Sequence, residues 1–268
     1  MDITSILGLL FAFGGIVVGF ILEGGELKGL WQNTAAMIVL GGTVGAVFIS
    51  FPLKELKLLP QMFKHVFTNQ KIDELKVISQ IVHFSELARR EGLLALENEL
   101  SSIKSPLMEK GVRLIIDGTE SHSTKDIMSW DMYLVNDVYT RGGKIFAAAG
   151  GYSPTMGIIG TVMGLISVLA ADQSDPAHLT HSISTAFIAT LYGVGLANLL
   201  WLPFEGKIKA KAARERLVNE LIIEGVLSIQ AGDHPNTVRE KLNQSYFEKA
   251  AGKKAAAAKA GAPAAEVK

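Results

Sequence analysis

The fold is decided by an uncharged apolar run at residues 145–171, IFAAAGGYSPTMGIIGTVMGLISVLAA. A helix needs about 20 predominantly apolar residues to cross a hydrocarbon core about 30 Å thick. Three further runs are about as long and contain no Lys, Arg, Asp or Glu: residues 3–22, 34–51 and 183–204. The sequence therefore predicts an all-α membrane protein with four transmembrane helices.

The composition agrees with this prediction. Only 19% of the 268 residues are charged, whereas soluble globular proteins carry about 25%. The 26 Lys and Arg balance the 26 Asp and Glu, so the net charge is zero. Because the chain contains no cysteine, disulfides, cysteine-based zinc sites and thiol nucleophiles are excluded.

Basic residues are concentrated in two regions of the chain. Residues 54–144 and 207–268 contain 25 of the 26 Lys and Arg, and Lys28 is the one between the first two runs. Lys and Arg are enriched on the cytoplasmic flanks of membrane spans. We therefore expect both termini and the segment between the second and third spans to be cytoplasmic. No basic residue precedes the first run, so we expect it to be a span and not a secretory signal.

The cytoplasmic parts have a helical period of apolar residues, and the chain divides into five predicted segments. These are transmembrane helices 1 and 2 (1–52), a helical cytoplasmic domain (53–143), transmembrane helices 3 and 4 (144–205), C-terminal cytoplasmic helices (206–247) and a disordered Ala/Lys tail (248–268).

Motifs for familiar enzyme chemistry are missing from the sequence. It has no P-loop, no HExxH zinc-protease motif and no GxSxG nucleophile motif. His178 and His181 could face one metal, but no third ligand lies near them in sequence, and we interpret them as interfacial polar residues. We expect neither an enzyme nor a resident metal or cofactor.

The four spans also lack a titratable acid. Ion carriers usually keep such a residue inside the membrane, where its cost marks it as functional. Hydroxyls are present: Thr155 and Thr161 in the third run, Thr185 and Thr190 in the fourth. If the protein moves ions, the charged group comes from a partner and these hydroxyls line its path. The alternative is that each hydroxyl bonds a carbonyl of its own helix.

Two prolines lie near the cytoplasmic ends of the last two spans. Pro154 and Pro203 are at the same membrane depth by the predicted topology. Proline has no N–H and ends or kinks a helix, so each marks either a helix terminus or a hinge.

Four blocks of sequence resemble the MotA family of flagellar motor stator subunits, whose sodium-driven members are PomA and MotP. The blocks are ARREGLLALE at 88–97, YSPTMGIIG at 152–160, ATLYG at 189–193 and EGVLSIQAG at 224–232. They occur in the expected order, and the resemblance extends from residue 1 to about residue 247.

The resemblance implies a subunit of the bacterial cytoplasmic (inner) membrane that converts ion flow into torque. Such subunits form a homopentamer, surrounded by membrane lipid, around two copies of a single-span MotB- or PomB-type partner. The partner supplies the ion-binding Asp and the peptidoglycan anchor. The cytoplasmic domain contacts the rotor protein FliG, and no nucleic acid is involved. By motif, the rotor contacts are Arg89, Arg90 and Glu97, and the coupling prolines are Pro154 and Pro203.

The resemblance also bears on the transported ion. Thr161 lies seven residues after Pro154, where sodium-driven relatives tend to have Thr, and Thr190 is shared by both types. We expect Na⁺ in preference to H⁺, bound transiently near Thr161 and Thr190 with a partner Asp. An all-oxygen site of this kind suits a hard cation.

Two other functions fit parts of the sequence. An ExbB- or TolQ-like energising subunit has three spans and its large cytoplasmic part after the first, whereas here that part follows the second. A passive membrane channel or scaffold predicts no motility defect when Arg89 and Glu97 are charge-reversed.

Overall fold

A computed structural model of the chain describes residues 2–68, 73–170 and 176–260. Within these residues the fold is all α, with no strand, as the sequence predicts. The α-helices are α1 (Ile3–Leu22), α2 (Asn33–Ser50), α3 (Leu53–Leu56), α4 (Leu59–Phe67), α5 (Glu74–Glu91), α6 (Pro106–Ile116), α7 (Ser121–Ala170), α8 (Pro176–Leu196), α9 (Leu202–Gln230) and α10 (Pro235–Ala260). Two 3₁₀ segments, Leu27–Leu30 and Leu93–Ser102, precede α2 and α6, and a π-helical segment, Ala197–Trp201, joins α8 to α9.

In the part of the chain that the structure describes, four stretches of helix are long and apolar enough to cross a membrane, which confirms the predicted number of spans. They are Ile3–Leu22, Leu27–Ser50, Ser121–Ala170 and Ser182–Gln230. The last two are about 50 residues long because each apolar run continues into the polar helix beside it, without a break. For α7 this continuity passes through Gly142 and Gly143.

The contacts divide the chain into two units. The first comprises Met1–Gln70 and Val138–Lys211, and the second Lys71–Asp137 and Ala212–Lys268. These bounds differ from the segments predicted at 53 and 143. The reason is that Met62 and Val66 of α4 pack with Phe146 and Phe204 of the spanning helices.

The second unit has a continuous apolar core like that of a soluble domain. Its largest fully buried side chains include Phe84, Leu96, Met108, Met128 and Leu221. The first unit is packed in smaller clusters, such as Ala35 and Val39 of α2 with Ile188 and Ala189 of α8.

The helix ends in the second unit follow local sequence signals. The Asp73 side chain accepts a hydrogen bond from the Lys76 N–H at the start of α5, and the Ser105 hydroxyl accepts from Met108 at the start of α6. Gly92 ends α5 at φ +88°, a left-handed conformation that favours glycine.

The C-terminal helix is longer than predicted. The sequence suggested a helix ending near Phe247 and a disordered tail from 248, but α10 continues to Ala260. Ala and Lys both have high helix propensity, which accounts for the extension. The remainder of the predicted tail, 261–268, lies outside the described residues.

Candidate functional site

Helices α7 and α8 approach each other backbone to backbone. A Cβ placed on Gly193 would lie 2.6 Å from the Ser153 carbonyl oxygen and 2.9 Å from the Cα of Gly157. A Cβ on Gly157 would lie 2.9 Å from the Ala189 carbonyl oxygen. Small residues permit such close approach between helices in lipid, where hydrophobic drive is weak. The two helices that carry the predicted ion path are therefore in direct contact.

Two of the predicted path residues meet at this contact. The hydroxyls of Thr161 on α7 and Thr190 on α8 are hydrogen-bonded to each other. Thr161 Oγ1 also lies 2.9 Å from the Ala186 carbonyl oxygen across the interface and 3.1 Å from the Gly157 carbonyl oxygen of its own helix. Both threonines are half-buried. The structure thus gathers two hydroxyl and two carbonyl oxygens in one place.

This group can offer oxygen ligands to a cation. A hydroxyl has one hydrogen and two lone pairs. When Thr161 donates to Ala186, Thr190 donates to Thr161, and Thr190 then keeps both lone pairs while Thr161 keeps one. Oxygen ligands of this type suit a hard cation. All four oxygens are neutral, so a compensating negative charge must come from elsewhere.

The other two predicted path residues are not part of this group. Thr155 is exposed and donates to the Tyr152 carbonyl of its own helix at 2.7 Å. Thr185 is half-buried on α8, one residue before Ala186. For Thr155, the structure shows the local hydrogen bond that the sequence left open as an alternative.

The two predicted coupling prolines occupy different positions. Pro154 lies inside α7, so the alternative of a helix terminus is wrong for this residue. Pro203 is the second residue of α9 and follows the π-helical segment, in which the Leu202 N–H donates to the Ala197 carbonyl. Because Pro203 has no N–H for the carbonyl four residues earlier, the wider π turn at this point has a local cause.

Three hydrogen-bonding residues at this site were missed by sequence reasoning. The fully buried Ser153 donates to the Gly193 carbonyl at 2.9 Å. The Tyr192 hydroxyl donates to the Leu30 carbonyl and accepts from the Gln32 N–H, which ties α8 to the segment before α2. The Tyr152 and Ser50 hydroxyls pair at 2.8 Å. Each partner is distant in sequence, so spacing gave no signal.

A buried ion cluster lies at the start of α1 and the first turns of α9. The carboxylate of Asp2 is 3.0 Å from Lys207 Nζ and 2.9 Å from Lys211 Nζ, and it accepts from the Thr4 hydroxyl at 2.7 Å. The Thr4 hydrogen bond and the two lysines hold the pKa of Asp2 well below its usual range, although burial opposes this. Lys211 also donates to carbonyls at the end of α4, including those of His65 and Val66. The Asp2 carboxylate thus connects α1 with α9 directly and with α4 through Lys211.

The predicted rotor contacts are all exposed in the second unit. Arg89 and Arg90 lie in the last turn of α5, and Glu97 lies in the 3₁₀ segment that follows Gly92. Arg90 pairs with Glu91 at 2.8 Å. Within the described part of the chain, Arg89 and Glu97 form no ion pair. Leu96 is completely buried and anchors the 3₁₀ segment beside α5, which leaves the charges facing outward.

No cluster of three metal-ligating side chains occurs among the described residues. The side chains of His178 and His181, which we interpret as interfacial, lie outside that description.

Comparison with known proteins gives consistent matches along the chain. The model of the MotA/TolQ/ExbB proton channel family matches residues 99–221, and the model described as Motility protein A N-terminal matches residues 6–92. The chain is 39% identical over 246 residues to "Motility protein A" of Bacillus subtilis (strain 168), with 90% of each chain covered.

Two solved structures have the same fold. One is described as the flagellar MotAB stator complex from Bacillus subtilis, with a TM-score of 0.85, 37% identity, and coverage of 90% of this chain and 94% of that chain. The other is described as C. jejuni MotAB, with a TM-score of 0.86, 29% identity, and coverage of 91% and 96%.

Proposed function

Because the chain belongs to the MotA family of flagellar motor stator subunits, within the MotA/TolQ/ExbB proton channel family, we propose that it forms an ion channel with a MotB-type partner and couples inward Na⁺ flow to torque on the rotor protein FliG. It does so in the bacterial inner membrane, with both termini cytoplasmic, as five copies around two copies of the partner. It is a motor and channel component and not an enzyme.

The hydroxyl pair of Thr161 and Thr190 is the observation that carries this proposal. It brings oxygen ligands together at the α7–α8 contact. The predicted spans contribute no acidic or basic side chain to this contact. A transported cation therefore needs a carboxylate from the partner, and the two solved structures reported above are MotAB complexes.

Sodium is favoured over protons by the ligand set. A proton is carried by a titratable group and needs no coordinating shell, whereas a hard cation gains ligands from the two hydroxyl oxygens. Thr161 and Thr190, together with the partner Asp, are the residues that we assign to transient cation binding.

The exposed charges at the end of α5 support the contact with FliG. A surface pattern of Arg89, Arg90 and Glu97 recognises a partner by complementary charge, which favours fast and reversible association.

One charge moving through about 100 mV supplies about 2.3 kcal/mol. That magnitude suits a rigid rotation step and not the unfolding of a domain.

The ion assignment is tested by swimming speed in cells that carry this chain with its partner. At fixed pH, speed should rise with external Na⁺, and Thr161→Val should raise the half-saturating Na⁺ concentration. Thr68→Val is the matched control, because Thr68 also donates to the carbonyl four residues earlier, at 2.7 Å, and is not part of the Thr161–Thr190 group. Full speed of the unmodified complex in sodium-free medium would overturn the choice of Na⁺.

The rotor contact is tested by charge reversal. Arg89→Glu combined with Glu97→Lys should abolish motility while the complex still assembles and conducts ions. Lys76→Glu is the control, because its side chain is also on α5 and is 84% exposed. Normal swimming of the double variant would exclude these residues as the rotor contact and favour a channel or scaffold.

A further inference from the structure

We propose that Ser153 is a positioning residue that fixes the crossing of α7 and α8 and thereby the spacing of the Thr161 and Thr190 hydroxyls. This inference rests on the proposed role of that hydroxyl pair in cation binding. It assigns to Ser153 no contact with the cation.

The Ser153 side chain is well placed for this role. It is 0% exposed, and its hydroxyl donates across the helix interface to the Gly193 carbonyl at 2.9 Å. A side-chain hydrogen bond between two membrane helices holds their relative position, because lipid offers no alternative partner to either group. Ser153 also directly precedes Pro154, where α7 lacks one backbone hydrogen bond.

A second bond of the same kind lies two turns further along the interface. Thr161 lies 2.9 Å from the Ala186 carbonyl. The two side chains are eight residues apart on α7 and their acceptors are seven apart on α8, in the opposite chain direction. With 3.6 residues per turn, both pairs fall on one face of each helix. On α7 the two bonds therefore lie on either side of Gly157, which meets Gly193.

The geometry makes the hydroxyl pair sensitive to the Ser153 bond. Thr161 is bonded to both Ala186 and Thr190, so a slide or rotation of α8 changes both distances together. Gly193 lies three residues after Thr190 and one turn before the π-helical segment that begins at Ala197. The Ser153 hydrogen bond thus attaches α8 to α7 at a point between Thr190 and the π-helical segment of Ala197–Trp201.

The experiment measures the half-saturating concentration of the driving cation for swimming, with Na⁺ varied at fixed pH and then pH varied at fixed Na⁺. The full complex is used in cells. Ser153→Ala should raise the half-saturating concentration about threefold, which corresponds to about 0.6 kcal/mol, the mean value of a hydrogen bond between membrane helices. Ser153→Cys, which keeps a weak donor, should give an intermediate shift.

Ser5→Ala is the matched control. Its hydroxyl also donates to a carbonyl on another helix, that of Val66 at 3.2 Å, but α7 and α8 are not involved. A loss of packing lowers the amount of assembled complex and the maximal speed without changing the half-saturating concentration, so the shift separates positioning from a structural role.

The outcomes are distinct for the two proposals. If Thr161→Val shifts the half-saturating concentration and Ser153→Ala does not, the positioning role is overturned while the cation site stands. If neither variant shifts it, the cation site itself is overturned. If Ser153→Ala does not assemble, Ser153→Cys decides by the same measure.

Discussion

Each of the two units of this chain is stabilised by a different kind of internal packing. The second unit buries large apolar side chains such as Phe84, Leu96 and Leu221 in one core. In the first unit, the α7–α8 contact is made of Gly, Ala, Ser and Thr, while Phe187 and other large apolar side chains of the same helices are exposed. Burial of apolar area drives folding in water, but lipid is as apolar as leucine. Close backbone approach and hydrogen bonds therefore replace apolar burial in the spanning helices.

Substitution of glycines should have the largest effect on motility, and this effect should differ between the two units. Gly193→Ala should abolish motility, because the added Cβ meets backbone atoms at 2.6 and 2.9 Å that cannot move independently. Gly111→Ala in the second unit meets mainly the end of the flexible Met128 side chain, at 2.5 Å, and should reduce motility only partly. Swimming assays with quantified complex levels measure both.

Gly195→Ala is the control on the same helix. A Cβ at Gly195 has no atom within 4 Å, so this variant should swim normally. Equal defects at Gly193 and Gly195 would mean that glycine matters for helix flexibility along α8 and not for contact with α7.

The second largest effect is expected from truncation of large apolar side chains. Here the second unit, and not the first, should be the more sensitive. Phe84 is 1% exposed and Phe187 is 69% exposed. Phe84→Ala should lower the stability of the complex by about 3–5 kcal/mol, the usual loss for a buried phenylalanine, whereas Phe187→Ala should change it little. Thermal unfolding of the purified complex compares them. A larger loss at Phe187 would show that its face is buried against another chain.

Local patterns predicted much of the fold. The first span was predicted as residues 3–22, and α1 covers Ile3–Leu22. Such features depend on hydrophobicity and on residues within a few positions. The 3₁₀ form of Leu93–Ser102 and the extension of α10 were not predicted, since they depend on packing or on a weak propensity balance.

The candidate site was predicted only in part, for a physical reason. The hydroxyls in the spans were visible as residue types, but the pairing of Thr161 with Thr190 joins positions 29 residues apart. The Ser153–Gly193 and Tyr192–Leu30 bonds join positions 40 and 162 residues apart. Contacts of this length depend on how helices cross, and a single sequence has no periodic signal for that.

Neutralisation of the buried Asp2 carboxylate in the first unit should cause an intermediate loss of stability. Asp2→Asn leaves Lys207 and Lys211 without their counter-charge and should cost about 2 kcal/mol in stability, as for hydrogen bonds to buried charged groups. The control is Asp126→Asn in the second unit, whose 64% exposed side chain pairs with His122; exposed pairs contribute about 0–1 kcal/mol. Thermal unfolding of both variants tests the difference. Equal losses would contradict the view that the first unit depends on this cluster.

The smallest effect is a pH dependence carried by His65 in the first unit. Burial and the Lys211 charge lower the pKa of His65 from its ordinary value of 6.5. Below that value the unfolded chain binds a proton that the folded chain does not, so stability is complete above about pH 6.5, falls as the pH drops towards the lowered pKa and levels off below it. Between about pH 7.5 and about pH 5.5 the complex should therefore lose stability through this residue, at a slope of at most about 1.4 kcal/mol per pH unit for one proton. His65→Phe keeps a ring against Tyr139, whose ring centroid lies 4.5 Å from that of His65, and should remove that part of the slope.

The carboxylate of Asp2 stays ionised throughout this range because its pKa is lowered, so it adds nothing to the slope. An unchanged slope in His65→Phe would assign the acid sensitivity to other groups and leave the Asp2 cluster as the main electrostatic support of this unit.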